Sequence, residues 1–411
     1  MSESNKCVQV RDILTEEQIG HIVTRSVGSG QVLETAIRPA TDGLAGFVGD
    51  HYRLTLEVAV DGRRHNLPLF VKAVPRHNDA KISFIRENGF FKREMTVFKI
   101  IEDLETGPTP CVAKALFYSD SVLVMPDLAA QGYSIRNQLE TFDSPHLLVA
   151  LNSVARFHAA FANYETKKSL ANNRPYSVLE DHGDIIVETT FKDTAWIHTA
   201  AKLTANMIER LSKYKSIPNL KDSVLNQFLS GCKDLKASDS LNVIIHKDLW
   251  VNNIMFKYEN DVPINAIILD FQCVRYGPPA FDVLMLIYLT TSRSFRQENE
   301  DLILNNYFET FIEYLDMDTK LRLKTLGYDF EDFQKWVCKA RRFAMVAVLS
   351  IFPFVLMDSS TASETFDDPD TYGRLMYEDR TEVVLAHAMR CREYGSRQVE
   401  LAEEFVERFL L

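Results

Sequence analysis

No two cysteines in this chain stand in a C-x-x-C spacing. The six of them, Cys7, Cys111, Cys232, Cys273, Cys338 and Cys391, are scattered singly over 411 residues. That argues against a zinc framework or a disulfide scaffold and for idle thiols in a reducing compartment. The opening segment, MSESNKCVQVRD, has no apolar signal core, so a cytoplasmic protein is expected. Long apolar runs are also lacking. The longest, Phe343 to Met357, has fifteen residues, is broken by Ser350 and Pro353, and is too short to cross a bilayer. Basic excess is missing as well: 46 Lys and Arg stand against 57 Asp and Glu, a net charge of −11. A nucleic acid or an anionic membrane is therefore not expected as the principal partner. There are no repeats and no Gly/Ser- or Pro-rich linkers, so the two or three lobes that this length suggests should pack as one unit, with a monomer favoured.

What is present is concentrated near position 250. The chain reads VIIHKDLWVNNIMF and, shortly after, VPINAIILDFQCV. His246, Asp248 and Asn253 fit the pattern H-x-D-x-x-x-x-N, in which the Asp orients and deprotonates an attacking hydroxyl and the Asn holds a magnesium ion. Asp270 ends an apolar strand, where a second magnesium-binding carboxylate belongs. Phosphoryl transfer asks little else of a protein: a base at the acceptor, metal ligands, and a grip on the triphosphate. His246 is read as a brace for the loop, not a proton carrier.

The same stretch argues against a peptide acceptor. A protein kinase continues from D-F-G through a long activation segment to A-P-E. Here Phe271 and Gln272 follow Asp270, no A-P-E appears, and a helical run FDVLMLIYL starts at Phe281. A small-molecule alcohol is the expected substrate. Asp282, at the start of that helix, is read as support for the catalytic loop, either capping the helix or bonding back to the loop backbone.

Earlier in the chain, Thr15 and Gln18 form a capping box for a short helix that stops at Gly28. Residues 31 to 75 read as strands, with HYRLTLEVAV and NLPLFVKAV joined by an Asp61-Gly62 hairpin turn. Phe84, Phe91, Met95, Phe98 and Ile101 give residues 83 to 102 a helical stripe. CVAKALFYSD and SVLVMPDL read as two further strands. Beyond Leu128 the pattern is mostly helical, and 120 residues separate Leu128 from Asp248. The expectation is an α+β, bilobal protein-kinase-like fold: an N-terminal helical extension (1–30), a small β-rich N-lobe (31–128), and a larger helical C-lobe (129–411) carrying the catalytic loop and a substrate-side insert.

Lys72, in LFVKAV on the third expected strand, is placed to reach the ATP phosphates, steadied by a helix carboxylate. Glu94 shares a helix face with Phe91 and Phe98, and Glu87, one heptad earlier, is its rival. Gly43, Gly46 and Gly49 are not G-x-G-x-x-G, yet Gly49 and Asp50 precede a strand and can meet phosphate through backbone N–H groups. Met125, Asp127 and Leu128 fall in the expected inter-lobe connector, where backbone groups would meet adenine; Pro126 removes one donor there. His158 reads as a core histidine.

HKDLWVNNIMF, LDFQ with GPPAFDVL, LVMPDLAAQGY and the FKREMTVF helix together resemble the ecdysteroid kinase-like family, related to choline kinases and aminoglycoside phosphotransferases. The resemblance covers roughly residues 30 to 400. It implies a kinase-like enzyme that uses ATP and Mg²⁺ to phosphorylate a hydroxyl of a small molecule, an ecdysteroid-like or foreign alcohol. By match, Asp248 takes the base position, Asn253 and Asp270 the metal positions, and Lys72 with Glu94 the nucleotide anchor. The family's G-[DE]-N-Y-x-S pattern appears here as Gly49-Asp50-His51-Tyr52-Arg53-Leu54. One phosphate contact fewer is expected from the missing hydroxyl at Leu54. Lys247 stands where Gly is common and Pro126 where an acidic residue is. A pseudokinase would lack the Asp or the Lys, and neither is lacking. An apolar acceptor would use the FAMVAVLSIFPFVLM segment, and a cationic one the acidic FDDPD at Phe366 to Asp370.

Overall fold

The computed structural model describes residues 8–40, 49–366 and 368–411. Helix α1 (Glu16–Val27) leads into strands β1 (Gln31–Pro39), β2 (Asp50–Val60) and β3 (Arg63–Ala73). Helices α2 (Asp79–Asn88) and α3 (Phe90–Ile101) follow, then β4 (Phe117–Tyr118), β5 (Val122–Pro126) and β6 (Tyr133–Ser134). Next come α4 (Ser144–Asn172), α5 (Leu179–His182), α6 (Ala195–Leu211) and α7 (Leu220–Asp234), and the short strands β7 (Val243–Ile245), β8 (Ile254–Glu259), β9 (Val262–Ile268) and β10 (Arg275–Gly277). The rest is helical: α8 (Ala280–Thr290), α9 (Arg293–Glu313), α10 (Met317–Thr325), α11 (Phe330–Val355), α12 (Ser359–Phe366), α13 (Pro369–Tyr377), α14 (Thr381–Arg390) and α15 (Arg392–Phe409). This is the expected α+β class, a β-rich N-terminal part followed by a larger helical one.

Local chemistry accounts for the N-terminal elements. Thr15 Oγ1 accepts from the Gln18 N–H at 3.2 Å while the Gln18 side chain accepts from the Thr15 N–H at 2.9 Å, closing both ends of the capping box. Asp61 (φ 48°) and Gly62 (φ 76°) turn β2 into β3 with both central residues left-handed, as a two-residue hairpin needs. The sheet runs in the order β1-β2-β3-β5-β4, antiparallel throughout. Tyr52, Leu54, Leu56 and Val58 of β2 face a small core shared with Ile22 and Val23 of α1, and period-two alternation sends His51 and Arg53 to the other face.

Two expectations change. The stripe from 83 to 102 is not one helix, because the chain breaks at Gly89 (φ 63°) into α2 and α3. The segment CVAKALFYSD is not one strand either. Val112 bridges Ile268 of β9, and only Phe117 and Tyr118 pair with β5, so its extended backbone is shared between two sheets.

The second core is much larger and continuous, running from α3 through β7, β8 and β9 into the C-terminal helices. Helix α8 is buried on every side, and α11 packs across it and α7. Pro353 sits inside the last turns of α11. Among the described residues no single helix is long and apolar enough to cross a membrane; α11 and α12 reach that length only together, across a 98° bend.

Candidate active site

Two hairpin-like units set the site. Strand β7 pairs with β10, and β8 pairs with β9, so the loop after β7 and the loop after β9 emerge side by side. The first carries His246 to Asn253, the second Asp270 to Cys273. Asp270 has φ 66° and Lys247 φ 62°. Both are left-handed conformations that a non-glycine residue adopts at some cost and holds only when its surroundings fix it.

Those surroundings are explicit. Asp282, fully buried in the first turn of α8, accepts the His246 N–H at 2.5 Å and the Lys247 N–H at 2.8 Å. So it does bond back to the loop backbone. His158 of α4, the expected core histidine, meets the same carboxylate at 3.1 Å and the Tyr307 hydroxyl at 2.7 Å. The His246 ring contacts the Leu269 carbonyl through Nε2 at 2.7 Å and accepts the Asp248 N–H at Nδ1 at 3.2 Å. This pattern assigns the proton to Nε2. Burial lowers the pKa of His246, so the ring is a neutral brace joining the two loops.

Lys72 is where the lobes meet. From β3 its Nζ donates to Glu94 Oε2 at 2.8 Å, Asp270 Oδ1 at 2.8 Å and Gln272 Oε1 at 3.0 Å. Glu94 is therefore the partner, and Glu87 is exposed on α2. Burial alone would lower the Lys72 pKa, but Asp270 and Glu94 outweigh it and keep the ammonium above its usual range. Burial raises Glu94, with Lys72 opposing. Burial and then the Asp270 charge push Asp248 up to about 7. Asn253 Nδ2 donates to the Asp248 carbonyl at 2.8 Å and to its Oδ2 at 3.2 Å, which fixes the direction of its own amide oxygen.

Gly49 lies against this lysine. A Cβ there would sit 3.1 Å from Lys72 Cγ and 3.2 Å from the Ala73 carbonyl oxygen, so the close approach leaves little room for a side chain. Asp50 accepts the Tyr52 hydroxyl at 3.3 Å. Gly43 and Gly46 lie outside the described residues. Leu54 corrects the expectation of a lost phosphate contact: its side chain is in the small core, so a hydroxyl at that position would not face the cleft. In the connector, the Asp127 N–H donates to the Pro68 carbonyl at 3.0 Å, which removes Asp127's own N–H from adenine binding. The β3–β5 register puts Met125 opposite Phe70 in the same phase. Alternation then turns the Pro126 carbonyl away from β3; β5 ends there, and Leu128 opens a 3-10 turn.

A cavity of about 350 Å³ joins these groups. Lys72, Glu94, Asp248, Asn253, Asp270 and Gln272 line one end, and Met125 to Leu128 the connector side. The other end is aromatic and apolar, with Phe191, Trp196, Ile351, Phe354, Phe366 and Tyr372. The FAMVAVLSIFPFVLM segment thus divides: Phe343 to Val348 fill the core, while Ile351, Phe354 and Val355 reach the cavity. Of FDDPD, Phe366 lines the cavity, Asp368 caps α13 through the Asp370 N–H at 2.9 Å, and Asp367 lies outside the described residues.

Sequence reasoning missed a buried clamp. Arg93, beside Glu94 on α3, donates to the Gln272 carbonyl at 2.9 Å and to the Ile185 and Val187 carbonyls and Thr189 Oγ1. Glu188 of the same segment pairs with Lys247, next to Asp248, and lies 4.0 Å from Arg275. The segment after α5 is thereby tied to both loops. Arg93 adjoins a residue already singled out, but Glu188 stands in a stretch without any motif.

The chain belongs to the ecdysteroid kinase-like family, whose model matches residues 43–318. It is 30% identical to an uncharacterized kinase-like protein of Caenorhabditis elegans over 189 residues, which are 46% of each chain; the match thus spans about half the length of that relative. Among solved structures, an ethanolamine kinase of Plasmodium vivax aligns at 11% identity and a TM-score of 0.40, covering 88% of this chain and 84% of that one. A choline kinase of Streptococcus pneumoniae aligns at 12% identity and 0.35, covering 82% and 99%.

Proposed function

We propose that the protein is an ATP- and Mg²⁺-dependent kinase that phosphorylates a hydroxyl of a small molecule. The observation that carries this reading is the Lys72 ammonium held between Glu94 and Asp270, beside a loop that presents Asp248 and Asn253 to the same cavity. Lys72 would grip the α- and β-phosphates, steadied by Glu94. The backbone at Gly49 and Asp50 would cover them, and the Pro126 carbonyl and Leu128 N–H would meet adenine. Asp270 and the amide oxygen of Asn253 are hard oxygen donors, the kind that suits Mg²⁺, which draws its remaining ligands from water and phosphate. Among the described residues no cluster of three or more His, Cys, Asp or Glu could hold a metal alone, in keeping with a metal that arrives with the nucleotide. When bound, the ion would neutralise charge on the phosphates. Asp248, raised in pKa by burial, is placed to accept the hydroxyl proton, and His246 and Asp282 hold its loop.

For the acceptor, the aromatic end of the cavity supports a largely apolar alcohol of ecdysteroid-like or foreign origin, since apolar walls with few polar groups favour such ligands. A choline- or aminoglycoside-type substrate would want carboxylates there, and Asp368 is engaged in capping α13. The test is incubation with Mg–ATP and a panel of sterols, phenols, choline-like amines and aminoglycosides, read by mass spectrometry. Phosphomonoesters of the apolar alcohols are expected. Turnover confined to the amines would refute the apolar assignment.

A further inference from the structure

Behind the aromatic end of the cavity lies a stranded charge. Arg380, the residue before α14, is 1% exposed, and its Nε, Nη1 and Nη2 are all buried without a hydrogen-bond partner among the described residues. The other buried arginines each keep acceptors on their terminal nitrogens, Arg93 from carbonyls, Arg156 from the Thr106 carbonyl and Arg296 from Glu404, and only the Nε of Arg156 and of Arg296 lacks one. Around Arg380 there is instead π surface. Its guanidinium carbon lies 4.8 Å from the Phe354 ring centroid and 5.6 Å from that of Trp196, and both rings line the cavity. The neighbouring Thr381 hydroxyl, and that of Thr194 two residues before Trp196, are likewise buried without a partner. Nearby carboxylates are committed elsewhere, Asp379 to Lys202 at 2.6 Å and Glu382 to Arg210 at 2.8 Å.

An unpaired guanidinium in an apolar setting destabilises the fold unless something offsets it. Burial lowers its pKa to about 9, so it stays charged at neutral pH. Cation–π contact with two rings offsets part of the cost but leaves every N–H without an acceptor. A planar fork of donors matches a carboxylate or a phosphate, and the nucleotide phosphates are assigned to the Lys72 end of the cavity, which leaves a carboxylate for this end.

We infer that Arg380 is a ligand-binding residue that receives a carboxylate of the acceptor, narrowing the substrate class to hydroxy acids with an apolar body. The inference rests on reading the cavity as the acceptor site of a small-molecule kinase. Engagement breaks no side-chain hydrogen bond among the described residues, because Arg380 makes none there; the Phe354 or Trp196 ring must turn to admit the carboxylate. A neutral alcohol of the same shape would leave the guanidinium stranded.

The experiment is calorimetric titration of the full chain with ω-hydroxydecanoate and with the decanediol of equal length, without nucleotide. Wild type should prefer the acid by about tenfold or more, as a charged hydrogen bond implies. Arg380→Met should erase that preference and also melt higher, since an apolar side chain replaces an unpaired charge. Arg380→Lys should keep part of the preference. Equal binding of acid and diol by wild type, or a preference unchanged in Arg380→Met, would overturn the inference. If Arg380→Met does not fold, Arg380→Lys decides: a preference reduced by about threefold or more supports the site, and an unchanged one refutes it. Titration with a non-hydrolysable ATP analogue and Mg²⁺ separates the two readings. Acid preference without nucleotide binding would remove the kinase and leave the Arg380 site, and the reverse result would do the opposite.

Discussion

Lys72 answers to three oxygens at once, and this shapes what mutation should do. Removing Glu94 leaves Asp270 and Gln272 on the ammonium, so Glu94→Gln should weaken catalysis less than Lys72→Met. If the two act as one nucleotide anchor, the double variant should cost little more than Lys72→Met alone. Steady-state kinetics of the four proteins would show this, and additive losses would mean that Glu94 works elsewhere. Lys72 and Glu94 were legible from a strand lysine and a carboxylate on an apolar helix face, and the rest of the legible chemistry is packed into one stretch. His246, Asp248, Asn253 and Asp270 fall within two loops, so spacing alone exposed them. Gln272 was visible only as the residue that is not glycine, and its bond to Lys72 could not be read from it. Leu54 misled because a motif position says nothing about which face of a strand it occupies.

At the level of elements, the segment between α5 and α6 is the part that had no signature. It carries Glu188, Phe191 and the carbonyls that Arg93 binds, and Arg93 and Lys247 tie it to the cavity from α3 and from the loop after β7. Such a wall is built from pairs separated by scores of residues, which no local pattern records. Glu188→Ala would leave Lys247 buried without its carboxylate, a change on the order of 3 kcal/mol or more for a broken buried pair. We expect a lower melting temperature and a raised KM for the acceptor, with nucleotide affinity little altered. Loss of nucleotide affinity alone would assign the segment to the wrong side of the cleft. The division of 111–120 between two sheets was likewise set by tertiary pairing, not by propensity, whereas the break of 83–102 is local, a left-handed Gly89 that caps α2.

Across the whole molecule, Asp282 is the charged link between the loop after β7 and the helical core, beside the buried Leu249, Trp250 and Val251 of that loop. Asp282 takes two backbone N–H groups and meets His158, which reaches Tyr307 on α9. Asp282→Ala would strand all of these in a dry interior, a loss on the order of 3–5 kcal/mol. The expected outcome is a lower unfolding midpoint together with lost turnover. Asp282→Asn, which keeps one acceptor oxygen, should recover part of both. Equal melting of the Ala variant and wild type would show that the loop is held by other means. The bilobal architecture was legible because β-hairpin, helix, strand and the His246–Asn253 loop each left a strong local pattern; the aromatic chamber was not, since α11, α12, α13 and the segment before α6 converge on it from distant parts of the chain.

The most direct test of phosphoryl transfer compares wild type with Asp248→Ala and Asp270→Ala, using Mg–ATP and whichever acceptor wild type phosphorylates, alongside melting curves. Loss of a base or a metal ligand acts on the transition state, so turnover should fall about a thousandfold or more, equivalent to roughly 4 kcal/mol, while the fold persists. Near-normal turnover in either variant with a wild-type melting curve would contradict the assignment of this site.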